Sequence, residues 1–182
     1  MSTALNNFEL AMQDANDLLV CYDSLNIKEQ PKAPEVLKRA ALIMILTAWE
    51  SYIEDMSDEM LNSKFGILKG SHVGNFIQDQ LALRLTTFNN PDSQKTKKLF
   101  EEFFGIDVTK KWEWNNYDPN QARNTLNKWI KRRSETLHRS QLDISTTHIV
   151  SRDELENCIH FFCAIVKATD HALSDDININ GI

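Results

Sequence analysis

Apolar residues recur every three or four positions along most of the chain, the spacing of helices that bury one face. This spacing predicts a first helix over residues 5–25, which the prolines within residues 28–34 end. Residues 35–62 contain no glycine or proline, and residues 40–49 are apolar on nearly every side. The second helix is therefore predicted to be the most buried element of a helical bundle.

Three further helices follow, and each has a residue suited to its beginning or end. Ser71 can cap a third helix, Gly105 ends a short fourth helix over residues 93–104, and Pro119 begins a fifth that ends near residues 138–141. The third helix is expected to bury its apolar side chains: Val73, Phe76, Ile77, Leu81, Leu83 and Leu85. With only 5 glycines and 4 prolines, the chain has too few turn-forming residues for a β-sandwich or barrel.

A capping box begins the last helix, with Ser151 as the cap and Glu154 three residues later. Val150 is placed to pack against Leu155 across this first turn. The helix is expected to run to about Ser174, and residues 175–182 are expected to form a flexible tail. The sequence therefore predicts an all-α bundle of five to six helices, a single domain over residues 1–182.

The amino-acid composition favours a soluble globular protein. The 182 residues are 42% hydrophobic and 25% charged, which is typical of a soluble globular chain and excludes wholesale disorder. There is no apolar run of about 18 residues and no secretory signal pattern at the N-terminus, so we expect a cytoplasmic protein without membrane contact. Three cysteines without C-x-x-C spacing favour buried thiols over disulfides or zinc, and we expect no metal or cofactor.

The charge is unevenly distributed. The chain carries a net charge of −6, and residues 1–62 hold 4 Lys and Arg against 11 Asp and Glu. Residues 151–182 are also acidic, with 2 against 6, whereas residues 110–139 hold 8 Lys and Arg against 3 Asp and Glu. This basic window is either a solvated helix face or a surface for nucleic-acid phosphates.

Familiar catalytic motifs are absent, including the phosphate-binding glycine loops, H-E-x-x-H and G-x-S-x-G. His160 with Cys163 or with His171 does not assemble three metal ligands, so we interpret these as ordinary helix residues. Ser134 and His138 are four positions apart, as in a nucleophile and its base, but no third group orients them.

Arg133 and His138, inside the basic window, have residue types suited to cutting RNA without a metal. Such cleavage needs a base for the 2′-hydroxyl, a cation for the charge that builds on phosphorus, and an acid for the leaving 5′-oxygen. Histidine changes protonation near neutral pH, and arginine matches phosphate oxygens. The alternative is that both residues simply complement the dipole at the end of a helix.

The arginine and histidine have four residues between them, a spacing that resembles the R-x4-H motif of HEPN ribonucleases. The helical domain, the buried second helix around residues 48–54 and the late motif are similar to the RiboL-PSP-HEPN and MAE-type group, over roughly residues 8–173. The resemblance implies a metal-independent endoribonuclease that leaves 2′,3′-cyclic phosphate and 5′-hydroxyl ends. It also implies a homodimer, a role in toxin–antitoxin or antiphage defence, and an antitoxin or regulatory protein as a further partner.

The resemblance also implies roles for neighbouring residues. Glu50 on the second helix is expected to hold the guanidinium of Arg133, although an exposed helix charge is the alternative. Ser134 fits the polar residue that often follows the arginine. The remaining cations of the window are expected to position phosphates: Lys128, Lys131, Arg132 and Arg139.

Positions five apart on a helix differ by about 140° in direction, so Arg133 and His138 do not share a face of an unbroken helix. The helix therefore ends or distorts before His138, or two chains combine their motifs at one cleft. Residues 112–117 hold Trp112, Trp114 and Tyr117, which either pack on the bundle or stack on bases.

Two other functions remain open. A non-catalytic HEPN-like module would bind RNA, a nucleotide or a protein at the same surface without cutting RNA. An oligomeric helical scaffold would use its acidic first and last helices to bind a basic protein.

Overall fold

The computed structural model describes residues 2–27, 34–115, 117–139 and 150–180, and the side chains of residues 136–139 and 175–180 lie outside this description. The described part contains six α-helices, which confirms the predicted all-α class. They are α1 (Thr3–Asn26), α2 (Glu35–Phe65), α3 (His72–Thr86), α4 (Ser93–Phe104), α5 (Pro119–Arg139) and α6 (Arg152–Asn180). Short 3₁₀ helices lie at Gly66–Leu68 and Val108–Lys111. None of the helices described is both long and apolar enough to span a membrane.

The second helix is the centre of the bundle, as its all-round apolar pattern predicts. α1 packs along α2, and α5 and α6 also contact it. Trp49 of α2 is fully buried, and its ring lies about 6 Å from the rings of Tyr52, Trp112 and Phe162. Each such buried aromatic ring contributes ~2–3 kcal/mol to folding through the area it removes from water.

The predicted caps at Ser71, Gly105 and Ser151 are confirmed. The Ser71 hydroxyl accepts a hydrogen bond from Gly74 N–H, and Gly105 ends α4 in the left-handed conformation at φ 73°. Ser151 N–H donates to Glu154 at 2.8 Å, and Glu154 N–H donates to the Ser151 hydroxyl at 3.1 Å, which is the capping box. These local bonds satisfy backbone groups that a helix end leaves unpaired.

The third helix differs from its prediction. Of its apolar residues only Leu81 is buried, and Val73, Phe76 and Leu83 are 59%, 63% and 62% exposed. The helix carries two apolar lines, because Ile77, Leu81 and Leu85 follow one another at steps of four and the three exposed residues lie on another side. Only the first line meets the bundle, so helical spacing alone overstated the burial of α3.

Two smaller predictions also differ. α6 continues to Asn180, six residues beyond the predicted end at Ser174, because no glycine or proline interrupts the chain before Gly181. Flexibility of residues 175–182 stays a prediction. Cys158 is buried and Cys163 half-buried, but Cys21 is exposed on α1, so a buried position was predicted wrongly for this thiol.

The aromatic residues between α4 and α5 divide into two groups. Trp112 is fully buried, and its indole N–H donates to the Thr169 hydroxyl at 2.9 Å. Trp114 and Tyr117 are only partly buried, and their rings stack with centroids 5.0 Å apart. Core packing therefore accounts for Trp112, whereas the other two rings keep part of their surface free.

Candidate functional site

Arg133 reaches from α5 to α2, where its guanidinium meets Glu50. Arg133 Nη1 donates to Glu50 Oε2 at 2.8 Å and to Asn90 Oδ1 at 2.8 Å, and Nη2 donates to the Thr47 hydroxyl at 3.4 Å. The predicted pairing of Glu50 with Arg133 is therefore confirmed. Three partners from two separate segments fix the position of this guanidinium.

The pair is mostly shielded from water. The Arg133 and Glu50 side chains keep 15% and 17% of their exposure, so their attraction is screened less than that of a surface pair. Both hydrogens of Nη1 are donated within the chain, and Nε is buried without a partner in the described part. Among the described residues Nη2 donates only to Thr47, which leaves its second N–H without an acceptor in that part of the chain.

The segment before α4 completes the setting of Arg133. Asn90 adopts the left-handed conformation at φ 52°, and its backbone N–H donates to Glu50 Oε2 at 3.4 Å. The Trp49 indole donates to the Pro91 carbonyl at 2.9 Å, and Ser93 N–H donates to Asn127 Oδ1 at 2.9 Å. The segment is thus tied to α2 on one side and to α5 on the other.

Asn90 and Thr47 were missed by the sequence analysis. The apolar spacing predicts no role for Asn90, and Thr47 lies within the apolar stretch of residues 40–49. The sequence contains one usable signal, since an asparagine just before Pro91 is the residue type that tolerates a left-handed turn. Nothing in the spacing of Thr47 indicates a contact with Arg133, 86 residues away.

α5 is a continuous helix through both motif residues, since it extends to Arg139. Of the two predicted alternatives, the one in which the helix ends or distorts before His138 is wrong, because α5 runs without interruption from Pro119 to Arg139. The His138 side chain lies outside the described residues. On an ideal helix, residues five positions apart differ by about 140° in direction.

The other predicted site residues fall into three groups. Lys128 and Lys131 are exposed and make no ion pair with the described residues. Arg132 Nη1 contacts Glu154 Oε1 at 2.8 Å and lies 5.5 Å from the centre of the Trp129 ring, so it joins α5 to α6. Ser134 is half-buried on α5, and the Arg139 side chain lies outside the described residues.

A family model of the RiboL-PSP-HEPN domain matches residues 10–175, which include the whole of α2 to α5 and most of α1 and α6. The chain belongs to the RiboL-PSP-HEPN family. Searches of the curated proteins and of the solved structures gave no match. The family resemblance inferred from Arg133, His138 and the helical pattern is thus confirmed at the level of the family.

In this member of the family, negative charge accumulates on α2 beyond Glu50. Burial raises the pKa of Glu54, and the neighbouring carboxylates of Glu50, Asp55 and Asp58 raise it further. The pKa of Asp58 is raised by burial and by Asp55. The acidic groups of α2 repel anions, whereas Lys128 and Lys131 of α5 are exposed cations.

The described side chains contain no cluster of metal-ligand residue types. Within residues 2–27, 34–115, 117–135 and 150–174, no three or more His, Cys, Asp or Glu residues lie together as a metal site would require. The groups that meet at Arg133 are its guanidinium, the Glu50 carboxylate, the Asn90 amide and the Thr47 hydroxyl.

Proposed function

We propose that the chain is a metal-independent endoribonuclease of the HEPN type that acts as a homodimer. The observation that carries the proposal is the guanidinium of Arg133, which Glu50 and Asn90 hold in place. Arg133 lies on the same helix as His138. A pre-positioned cation is what a developing phosphorane charge requires, since no reorganisation is needed when the charge appears. Membership of the family supports the same function.

The proposed reaction breaks one phosphodiester bond. The imidazole of His138 in one chain takes the 2′-hydroxyl proton, and the 2′-oxygen attacks the adjacent phosphorus. Arg133 stabilises the negative charge on the phosphorane through Nη2. The bond to the 5′-oxygen then breaks, and the protonated His138 of the second chain donates its proton to that oxygen. The products are a 2′,3′-cyclic phosphate and a 5′-hydroxyl.

The proposal takes two chains as the catalytic unit. Residues five positions apart on an ideal helix differ by about 140° in direction, which supports a site to which two copies contribute. A twofold dimer that faces two α5 helices across one cleft brings two arginines and two histidines together. The same arrangement doubles the basic window at the groove and leaves the acidic helices outside.

Supporting residues have separate proposed roles. Glu50 positions the guanidinium, and Ser134 lies next to it on α5. Lys128 and Lys131 contact phosphates, which predicts an RNA affinity that falls with salt. Arg132 and Arg139 are assigned the same task, and Arg132 performs it from its position beside Glu154.

The proposed biological setting is toxin–antitoxin or antiphage defence in the cytoplasm. It rests on family membership and on the resemblance to HEPN toxins, which implies an antitoxin or another regulatory protein as a partner. The exposed apolar side of α3 is open to such contacts among the described residues. No cofactor is needed in the proposed reaction.

The test is an incubation of the purified protein with mixed cellular RNA in EDTA, followed by end-group analysis. We expect cyclic phosphate ends from the wild type and a loss of at least ~100-fold in His138→Ala. Arg133→Gln is expected to lose a similar factor, because a neutral amide does not stabilise the negative charge on the phosphorane. Circular dichroism confirms folding, and Lys98→Ala, on the exposed side of α4, is the matched control.

Cleavage that disappears in EDTA, or that persists in His138→Ala, contradicts the proposal. Intact RNA with the folded wild-type protein also contradicts it and favours the second candidate.

That second candidate is a binding module that does not cut. One observation favours it: both Nη1 hydrogens of Arg133 are used inside the chain, as in an arginine that only stabilises the fold. It predicts RNA that is bound with a salt-sensitive affinity and stays intact.

A further inference from the structure

A pocket of about 530 Å³ lies between α5, α6 and the segment that precedes α5. Its aromatic wall is formed by Trp114, Tyr117, Trp129 and Phe161, and Lys128 and Arg132 also line it. Its size is that of a small-molecule site. None of the residues that hold Arg133 lines this pocket, so it is a separate feature of the molecule.

The aromatic wall is held rigidly. Trp114 and Tyr117 exchange backbone hydrogen bonds of 3.1 and 2.7 Å around a tight turn in which Asn115 is left-handed at φ 36°. Their rings stack at an interplanar angle of 22°, and each lies within 6 Å of the Phe161 ring. Because the two rings stack on each other, a nucleobase can stack only on an outer face of the pair, and both rings are partly exposed.

The polar lining suits the rest of a nucleotide. Lys128 is exposed and makes no ion pair with any described residue, so its ammonium group is available to a phosphate. The side chains of Thr125, Asn157 and His160 supply hydrogen-bond donors and acceptors for the edge of a base. The aromatic wall thus suits the face of a base, the polar side chains suit its edge, and Lys128 suits its phosphate.

The pocket and the Arg133 site use different sides of the same helix. Thr125, Lys128, Trp129 and Arg132 follow one another at steps of three, one and three, which places them on one face of α5. Arg132 and Arg133 differ by about 100° in direction. A single RNA strand that crosses α5 can therefore meet both.

We propose that this pocket is a nucleobase subsite for single-stranded RNA. An unpaired base enters it and stacks against Trp114 and Tyr117, and its phosphate lies near Lys128. The inference rests on the proposed function in taking RNA as the ligand, and it adds a preference for unpaired substrate, because a base within a duplex does not reach the wall. Stacking accepts every base, so sequence preference comes from the Asn157 and Thr125 side chains.

The four tryptophans provide the test, since each indole N–H gives its own signal in a nitrogen–proton correlation spectrum. Trp49 and Trp112 donate to Pro91 and Thr169 in the core, whereas Trp114 and Trp129 line the pocket. Titration with adenosine or uridine 5′-monophosphate is expected to shift the signals of Trp114 and Trp129 and to leave the two core signals in place. Trp114→Phe assigns the signals.

Matched variants locate the binding. Ala164→Phe fills the pocket without removing a polar group and is expected to weaken nucleotide binding at least about tenfold. Lys128→Ala is expected to weaken it about threefold, and Lys98→Ala, which removes the same charge outside the pocket, is expected to leave it unchanged.

Three results would overturn the inference: unchanged Trp114 and Trp129 signals, equal shifts with ribose 5-phosphate, or full affinity in Ala164→Phe. The titration involves no cleavage, so the two proposals fail separately. A protein that cuts RNA but whose pocket indoles ignore the nucleotides contradicts the subsite alone. One that binds nucleotides in the pocket and leaves RNA intact contradicts cleavage alone.

Discussion

Arg132 and Arg133 are neighbours in sequence, and each pairs with a glutamate at 2.8 Å, yet they belong to different surfaces. Arg133 is joined to Glu50 and the segment before α4, and the pair is about one-sixth exposed. Arg132 crosses to Glu154 of α6, which is 40% exposed at the edge of an open pocket. The step of about 100° between consecutive helix residues separates the two surfaces.

The difference shows that a run of basic residues is not one functional unit. A count of basic residues along the sequence does not distinguish Arg132 from Arg133. Their partners make Arg133 a fixed, shielded cation and Arg132 a link between two helices, and only the first arrangement is suited to stabilising charge on a reacting group. The exposed cation of the pocket is Lys128, one turn before Arg132.

The largest expected effect comes from removing the ion pair of Arg133, which lowers the stability of the fold. Glu50→Ala leaves a largely buried guanidinium without its carboxylate and is expected to lower the free energy of unfolding by ~2–3 kcal/mol. The loss is smaller than for a fully buried pair because Asn90 still accepts from Nη1. Urea unfolding followed by circular dichroism measures it.

The control for this effect is a double-mutant cycle with Arg133→Gln. If the pair acts as a unit, Arg133→Gln is expected to cost much less in the Glu50→Ala background than alone. Additive losses would show that Glu50 and Arg133 do not stabilise each other. The distinction drawn between Arg133 and Arg132 would then be wrong.

A smaller, pH-dependent effect is expected at Glu154. The Ser151 N–H lowers the pKa of this carboxylate, and Arg132 lowers it further, against the opposing effect of burial. A lowered pKa in the folded protein means stability that is present above the ordinary value of 4.5 and is lost as the pH falls through the lowered pKa. Glu154→Ala is expected to cost ~1 kcal/mol at neutral pH, and the cost should shrink below pH 4.5.

Thermal unfolding of wild type and Glu154→Ala at a series of pH values measures this change. A difference that stays constant from neutral pH to about pH 3 would contradict the assigned protonation.

Much of the fold was predictable because its signals are local. Ser71, Gly105 and the Ser151–Glu154 box begin or end helices through bonds to residues three or four positions away, so their effect is visible in the sequence. The apolar pattern of residues 40–49 is equally local. Helix α3 shows the limit, because burial depends on what packs against an apolar line and not on the line itself.

The candidate site was predictable only where the family resemblance supplied a pairing. Glu50 and Arg133 are 83 residues apart, and their contact was expected because the family often has a polar residue on the second helix. Asn90 and Thr47 join the same guanidinium through the tertiary arrangement of α2, α5 and the segment before α4, which spacing along one helix does not encode. The pocket between α5 and α6 escaped prediction for the same reason, although the sequence analysis had left base stacking by Trp114 and Tyr117 open.

The central claim is that two chains share one catalytic cleft, and dilution of the wild type with an inactive partner tests it most directly. Wild-type protein is refolded together with a ninefold excess of His138→Ala and assayed on RNA in EDTA. If each cleft needs both histidines, activity per wild-type chain falls to about a tenth, the fraction of wild-type chains that still pair with one another. Mixing the folded proteins just before the assay is the control, and there the activity is retained. Full activity per wild-type chain after refolding together would contradict the shared cleft.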